Sequence, residues 1–569
     1  MTAAQEEASK TRRKLIAMGV LVAGAALAPV FGEGWLILST IIACALLGMP
    51  LFALIGVVTI VCFLLWPEND DPLVDLNNLV ERINGLADSE NLLAVPLFML
   101  SGSIMARGEI SSRLIDFSKA LIGWLPGGLA VSAVVACMLF AAISGSSPAT
   151  VVAIGAMMAP TLMKRGYPEE FTHGLLTSSG SLGILIPPSI PMILYPLINQ
   201  RAGIDTSELF AAGFGPGLVI GGILAGFCVY QGFKSKTAQQ SFSVAVLGAS
   251  TRDGFWSLMF PILILGGIYT GFFTVVEASA VSVVYAVVIE VFVHRALDFD
   301  ELPSIVTETG IILGSLLVIM VSALAFSEFL HFKEVPDHAV DWIESLDLAP
   351  TDGSTPIAFL LILNVLLLLV GTLMDILSAM FLFIPLLAPI AASMGVDPMH
   401  FGIIFIVNLE IGYLTPPVGL NLFVSSTLFD KPLGHMIKSV APFILLMFGG
   451  LMIITFVPEV SVGLGNWIIG GDEASAPTPT PLGDDDFGEP LDGPDDGPDT
   501  PDGVQSLEDM MNELEGGEDD TGGVQSLEEM MNELEEGADD GADEVAAPPP
   551  PEDDGDVQTM EEMMREADM

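Results

Sequence analysis

GSLGILIPPSIPMILY, residues 180–195, is apolar enough to sit in a membrane, yet it carries Pro187, Pro188 and Pro191. A proline has no N–H and its ring clashes with the preceding turn, so a helix running into this segment must break there. In hydrocarbon, each carbonyl the break leaves free is costly unless another group satisfies it. The break is not unique. At an offset of 229 residues Ala159-Pro160 matches Ala388-Pro389, Gly166 matches Gly395, Gly183 matches Gly412, and Pro187-Pro188 matches Pro416-Pro417. Thus APTLMKRG recurs as APIAASMG, and GILIPPS as GYLTPPV.

Paired apolar segments interrupted by Gly and Pro in corresponding halves point to the binding site of a secondary transporter. The half-helix restarting after Pro188 has proline near its first turn, where a missing N–H costs little, and its positive end can face an anion. The competing reading is a kinked span with no ligand. Ahead of each break lies a second polar island. In ISGSSPATVVAIG, residues 143–155, Ser144, Gly145, Ser146, Ser147 and Thr150 form a small, hydroxyl-rich stretch suited to a hairpin tip. Its hydroxyls and carbonyls are hard oxygen donors that suit Na+, although small residues also serve close helix packing. Ser146 lies 229 before Asp375 in GTLMDIL, residues 371–377. Carboxylates within spans are functional candidates by default; Asp375 ranks first, then Glu277, then Glu410, whereas Glu290 beside His294-Arg295 reads as a helix end.

The bulk composition agrees. Of 569 residues, 51% are hydrophobic and 16% charged, with mean hydropathy +0.64; a soluble chain carries about 25% charged residues. Repeated long apolar runs predict an all-α polytopic membrane protein with roughly 11 to 13 crossings plus re-entrant pieces. Residues 471–569 hold 35 of the 70 acidic residues against one arginine, −34 of the net −51. So acidic a chain excludes nucleic acid as a partner. Cys44, Cys62, Cys137 and Cys228 read as small buried hydrophobes, the six histidines are scattered with no HExxH motif, and no catalytic constellation is present, so no enzyme is expected. Lys10, Arg12, Arg13 and Lys14 precede an apolar run at 15–32 and predict a cytoplasmic N-terminus. Ala26-Leu27-Ala28 mimics a signal-peptide cleavage site, but the following Pro29 argues for a retained helix. Lys164-Arg165 and the loop with Lys234, Lys236 and Arg252 are expected on the same face.

SGSSPATVVAIG, PTLMKRGY and GILIPPSIPMILY resemble the large membrane subunit of the tripartite ATP-independent periplasmic (TRAP) transporters. So do PLFMLSG (96–102), GWLPGGLA (123–130), GGIYTGFFTVVEA (266–278), DPMHFGII (397–404) and IGYLTPPVGLNLF (411–423), in the family's order. The resemblance implies a Na+-driven elevator of two inverted repeats, each with a re-entrant hairpin and a Pro-broken helix. It also implies symport of an organic acid such as a C4-dicarboxylate across the bacterial inner membrane, and no cofactor beyond Na+ as coupling ion. The implied partners are a small membrane subunit, a periplasmic solute-binding protein, the organic-anion substrate and the lipid bilayer. Carried onto this sequence, the first hairpin tip is Ser144 to Thr150 and its broken partner Gly183 to Ser189, with Pro187 and Pro188. The second pair is Gly371 to Asp375 and Gly412 to Gly419, with Thr415, Pro416 and Pro417, and Asn421 just beyond. Na+ is expected near Ser146, Asp375 and both Pro-Pro breaks, and Glu277 takes the acidic position of a TPTEA-like motif. This chain departs from the family pattern in having Val276 for a threonine, Thr150 where Asp is frequent, and Glu410 where an uncharged residue is usual.

The expected organisation is an N-terminal segment with an extra helix (1–34), a permease domain (35–470; repeats about 91–231 and 304–457) and an acidic tail (471–569). The tail's composition predicts disorder. VQSLEDMMNELEG (504–516), VQSLEEMMNELEE (524–536) and VQTMEEMMREADM (557–569) form three short helical repeats within it. Each opens with a capping pair, and Val504, Leu507, Met511 and Leu514 share one stripe. They read either as docking motifs for a cytoplasmic partner or as a solvated tail with none. The rival to the three-component reading is a single-component Na+- or H+-coupled organic-anion symporter with inverted repeats. A channel is disfavoured because polarity is confined to two islands. A membrane anchor that only displays the tail is the remaining alternative.

Overall fold

A computed structural model describes residues 51–66, 90–235, 241–335, 356–417 and 419–469, with scattered positions between 39 and 49 and at 338 and 340. The expectations for the N-terminal helix and the acidic tail lie outside the described residues. Within them every regular element is helical. Helices α1 (Leu51–Leu65), α2 (Glu90–Arg107) and α3 (Ile110–Ile122) lead into α4 (Gly128–Ser144) and α5 (Ser147–Lys164). Next come α6 (Glu169–Ser181), a 3-10 turn (Leu182–Ile184), α7 (Ile190–Ile198) and α8 (Thr206–Ser235). The connecting region holds α9 (Val244–Asp253), α10 (Phe255–Tyr269), α11 (Val275–Val287, extended by a π turn to Val293) and α12 (Leu302–Phe332). The chain closes with α13 (Ile357–Leu373), α14 (Ile376–Ser393), α15 (Pro398–Gly412), α16 (Leu420–Leu428), α17 (Leu433–Phe456) and α18 (Val462–Ile469).

The helix boundaries themselves repeat. Both ends of α4 and α13, both ends of α5 and α14, and the starts of α6 and α15 differ by 229 residues, the offset of the sequence repeat. The same local chemistry recurs at these ends. Gly166 (φ 89°) and Gly395 (φ 77°) follow α5 and α14 in left-handed backbone that side-chain-bearing residues avoid. One pair of positions differs. Gly145 ends α4 at φ 57°, its N–H bonded to Ala141 O at 3.0 Å, and Ser146 then starts α5. Its counterpart is Met374, which disfavours the left-handed region and is extended instead (φ −139°, ψ 164°). Accordingly α4 and α5 pack on each other, whereas α13 and α14 meet only around their turn and α13 packs along α15. The sequence pattern predicts two like hairpins; one residue makes the second turn more open.

The packed interior includes Phe140, Tyr195, Phe401, Phe405 and Phe443, all fully buried. Tyr195 donates to Pro398 O at 2.6 Å, joining α7 to the start of α15. Leu445, Ile311, Ile312, Val365 and Leu369 are strongly exposed on long apolar helices, which is stable facing lipid rather than water. Among the described residues five helices are long and apolar enough to cross a membrane, six if the pair α2–α3, bent by 70°, is one span. The broken segments fall below that length because each proline pair divides one run into two short helices.

Candidate functional site

The first break is held together by its own side chains. In an unbroken helix the N–H groups of residues 187 and 188 would bond Gly183 O and Ile184 O. Both residues are proline, and Ser189 Oγ supplies the missing donor to Ile184 O at 2.6 Å. In the second break, Pro416 and Pro417 would leave Gly412 O and Tyr413 O. Thr415 N donates to the former at 2.9 Å and Asn421 N to the latter at 3.1 Å. Three of the four carbonyls are therefore satisfied within the chain, so the breaks keep their shape without relying on a ligand for those groups. Both Pro-Pro bonds are cis.

The first tip seats on the first break. A Cβ on Gly145 would lie 3.1 Å from Pro188 O, and one on Gly183 would lie 2.7 Å from Thr150 Oγ1 and 2.8 Å from Ser146 O. Gly183 has no room for a side chain, and at Gly145 the contact is tight and the left-handed backbone (φ 57°) disfavours one. The hydroxyls of Ser144 and Thr150 are 3.0 Å apart, and Thr150 donates to Ser146 O at 2.9 Å. Around the second turn, Asp375 caps α14, its carboxylate accepting from Ser378 N at 3.0 Å and Ser378 Oγ at 2.5 Å. Ile376 N donates to Tyr413 Oη at 2.8 Å, and a Cβ on Gly412 would lie 2.6 Å from Gly371 Cα. The residue ranked first as an intramembrane carboxylate is thus a helix cap set against the second break. Ser146 holds the matching position at the start of α5.

Polar contacts then join the two halves. Asn421 Nδ2 donates to Ser147 Oγ, linking α16 to the start of α5. Thr177 Oγ1 donates to Ser425 Oγ at 2.8 Å, and Ser181 Oγ to Glu410 Oε1 at 2.9 Å. Ser147, Thr177, Ser181, Glu410, Asn421 and Ser425 are all buried. Asn421 Oδ1, Glu410 Oε2, Ser178 Oγ and Ser179 Oγ are also buried and find no partner among the described residues. The breaks differ in access: Gly183 to Ser189 are buried, whereas Pro416 and Pro417 are exposed.

Of the expected site residues, Ser144, Gly145, Ser146, Thr150, Gly183, Pro188 and Ser189 gather at the first tip, with Pro187 in the same break. Gly371, Asp375, Gly412 and Thr415 lie with Pro416 and Pro417 at the second, and Asn421 and Ser147 bridge them. Glu277 stands apart. It is exposed and forms a capping box with Thr274, accepting from Thr274 N at 2.9 Å. Ser181 and the hydroxyl run TSSGS (177–181) join the site without standing out in the sequence, and Glu410 ranks behind Asp375 and Glu277 there; adding 229 to Ser181 gives Glu410, the signal that pairs them.

A family profile described as the tripartite ATP-independent periplasmic transporter, DctM component, matches residues 38–460. The C4-dicarboxylate TRAP transporter large permease protein DctM of Pseudomonas aeruginosa is 40% identical over 69% of this chain and 90% of its own length. The isethionate TRAP transporter permease protein DctMQ of Oleidesulfovibrio alaskensis is 38% identical over 66% of this chain and 58% of its own length. Among solved structures, the Alcanivorax borkumensis YdaH transporter superposes with TM-score 0.52 at 16% identity, covering 71% of this chain and 90% of that one, a likeness of fold.

Proposed function

We propose, from the premise that this chain belongs to the DctM-component family of tripartite ATP-independent periplasmic transporters, that it is the subunit carrying the ion and substrate sites of a Na+-coupled organic-acid importer. Membership makes it a transporter component and not an enzyme. The observation that carries the finer reading is the meeting of two tip-and-break pairs related by one offset, cross-linked by Asn421 and Ser147. Small residues and hydroxyls at the tips offer hard oxygen donors for Na+ as a cotransported substrate. The helix starts at Ser189 and Gly419 offer positive ends to a carboxylate. Names of the relatives support the class: a C4-dicarboxylate for one, isethionate for another. Both are small organic anions.

In this reading the two halves are inverted repeats in the inner membrane, and elevator-like motion carries the site across. A buried first break beside an exposed second one fits a carrier with one side closed. The working unit includes a small membrane subunit, consistent with the combined name DctMQ of one relative, and a periplasmic solute-binding protein that delivers substrate. Na+ binding is tested by melting the purified chain in NaCl and in KCl at equal ionic strength. Na+ should raise the melting temperature, and Asn421→Ala should abolish that selective gain. Equal curves in the two salts would contradict Na+ coupling.

A further inference from the structure

We propose that Glu169, His173 and His435 form a binding site for one divalent d-block cation of the zinc class, clasping the first half of the chain to the second. Glu169 and His173 are four residues apart on α6, so they share a face one turn apart. His435 stands in the first turn of α17, 262 residues away in sequence from His173. The three ligand atoms lie within 4.8 Å of one another, and His173 Nδ1 is 3.3 Å from His435 Nε2. Metal–nitrogen bonds of about 2.0–2.1 Å put two tetrahedral ligands about 3.3–3.4 Å apart. The two imidazoles already have that spacing.

The rings are also held in place. His173 is buried and stacks on Phe429, with centroids 4.4 Å apart and planes 14° apart. Beside it, Gly174 lets α6 approach the backbone of Ser439 so closely that no side chain would fit. The third ligand is exchangeable: Glu169 pairs with Lys431 Nζ at 2.6 Å, and their side chains are 45% and 36% exposed. Lys431 therefore competes with a cation for the Glu169 carboxylate. Two imidazoles and one carboxylate favour zinc-like ions over Mg2+ or Ca2+, which take oxygen donors. Without metal, the same 3.3 Å spacing is a single N–H···N hydrogen bond between one donor and one acceptor ring.

The test titrates Zn2+ into the purified full-length chain and counts bound metal after free ion is removed. Weak binding to the acidic tail is common to all variants and cancels between them. One tight Zn2+ per chain is expected, weakened at least about 10–100-fold in His435→Gln. Lys431→Met, which removes the competing ammonium, should tighten binding about fivefold. Co2+ should give the intense visible absorption of tetrahedral coordination in the parent chain and lose it in His435→Gln. His173→Gln repeats the test at the buried ligand, while half-buried His435 carries it if that variant unfolds. Equal stoichiometry and affinity in the parent and His435→Gln, or a Co2+ spectrum without the tetrahedral band, would overturn the site.

Discussion

Ser181 donates to Glu410 across the boundary between the two halves, and the two residues are 229 positions apart, the same offset that relates Gly183 to Gly412. Under the inverted-repeat relation proposed above, a residue that touches its own counterpart lies near the axis relating the repeats, and this hydrogen bond is the contact that would mark it. Its coupling is measurable. Ser181→Ala, Glu410→Gln and the double variant should show non-additive stability, with a coupling of about 0.5–3 kcal/mol. Additive melting shifts would place the two side chains apart.

Glycine at the packed breaks should be irreplaceable. Gly183→Ala and Gly412→Ala each force a methyl into backbone or a fixed side chain, at about 1–3 kcal/mol of overpacking. Uptake should fall steeply in both. Gly222→Ala and Gly226→Ala, where a new Cβ meets nothing within 4 Å, serve as controls and should leave uptake unchanged.

Ser189→Ala removes the hydroxyl that answers Ile184 O in place of a proline N–H. A buried acceptor left without its partner costs about 1–3 kcal/mol. The variant should melt lower than the parent, whereas Ser207→Ala, at a half-buried helix start, should not. A normal melting temperature for Ser189→Ala would mean that the carbonyl finds another donor.

The exposure difference between the breaks predicts labelling. The described cysteines Cys44, Cys62, Cys137 and Cys228 are buried and give a low background. A water-soluble thiol reagent should modify Thr415→Cys readily and Ser189→Cys slowly. Similar rates at both positions would remove the argument that one break is closed.

Much of this architecture was legible in the sequence because proline and glycine act locally. Pro187-Pro188 and Pro416-Pro417 break helices wherever they stand, and their common offset identifies the halves. Carboxylates were harder to read. Asp375 stands three residues before Ser378, and Thr274 three before Glu277, so both acids sit in capping patterns that a ranking by burial cost alone overlooks. Met374 replaced the turn glycine of the first tip, and only the backbone revealed how far that opens the second. Ser181 and Glu410 are related only by the long repeat offset, and His173 and His435 by no offset or local spacing, so the fold alone brings the two imidazoles together.

The most direct measurement of the central claim is uptake of labelled carboxylates, C4-dicarboxylates first, into proteoliposomes holding this chain and its small membrane subunit. The solute-binding protein is added outside. Accumulation is predicted only with the binding protein present and an inward Na+ gradient, and Asn421→Ala should abolish it. Accumulation by this chain alone, or uptake unchanged when K+ replaces Na+, would contradict the account.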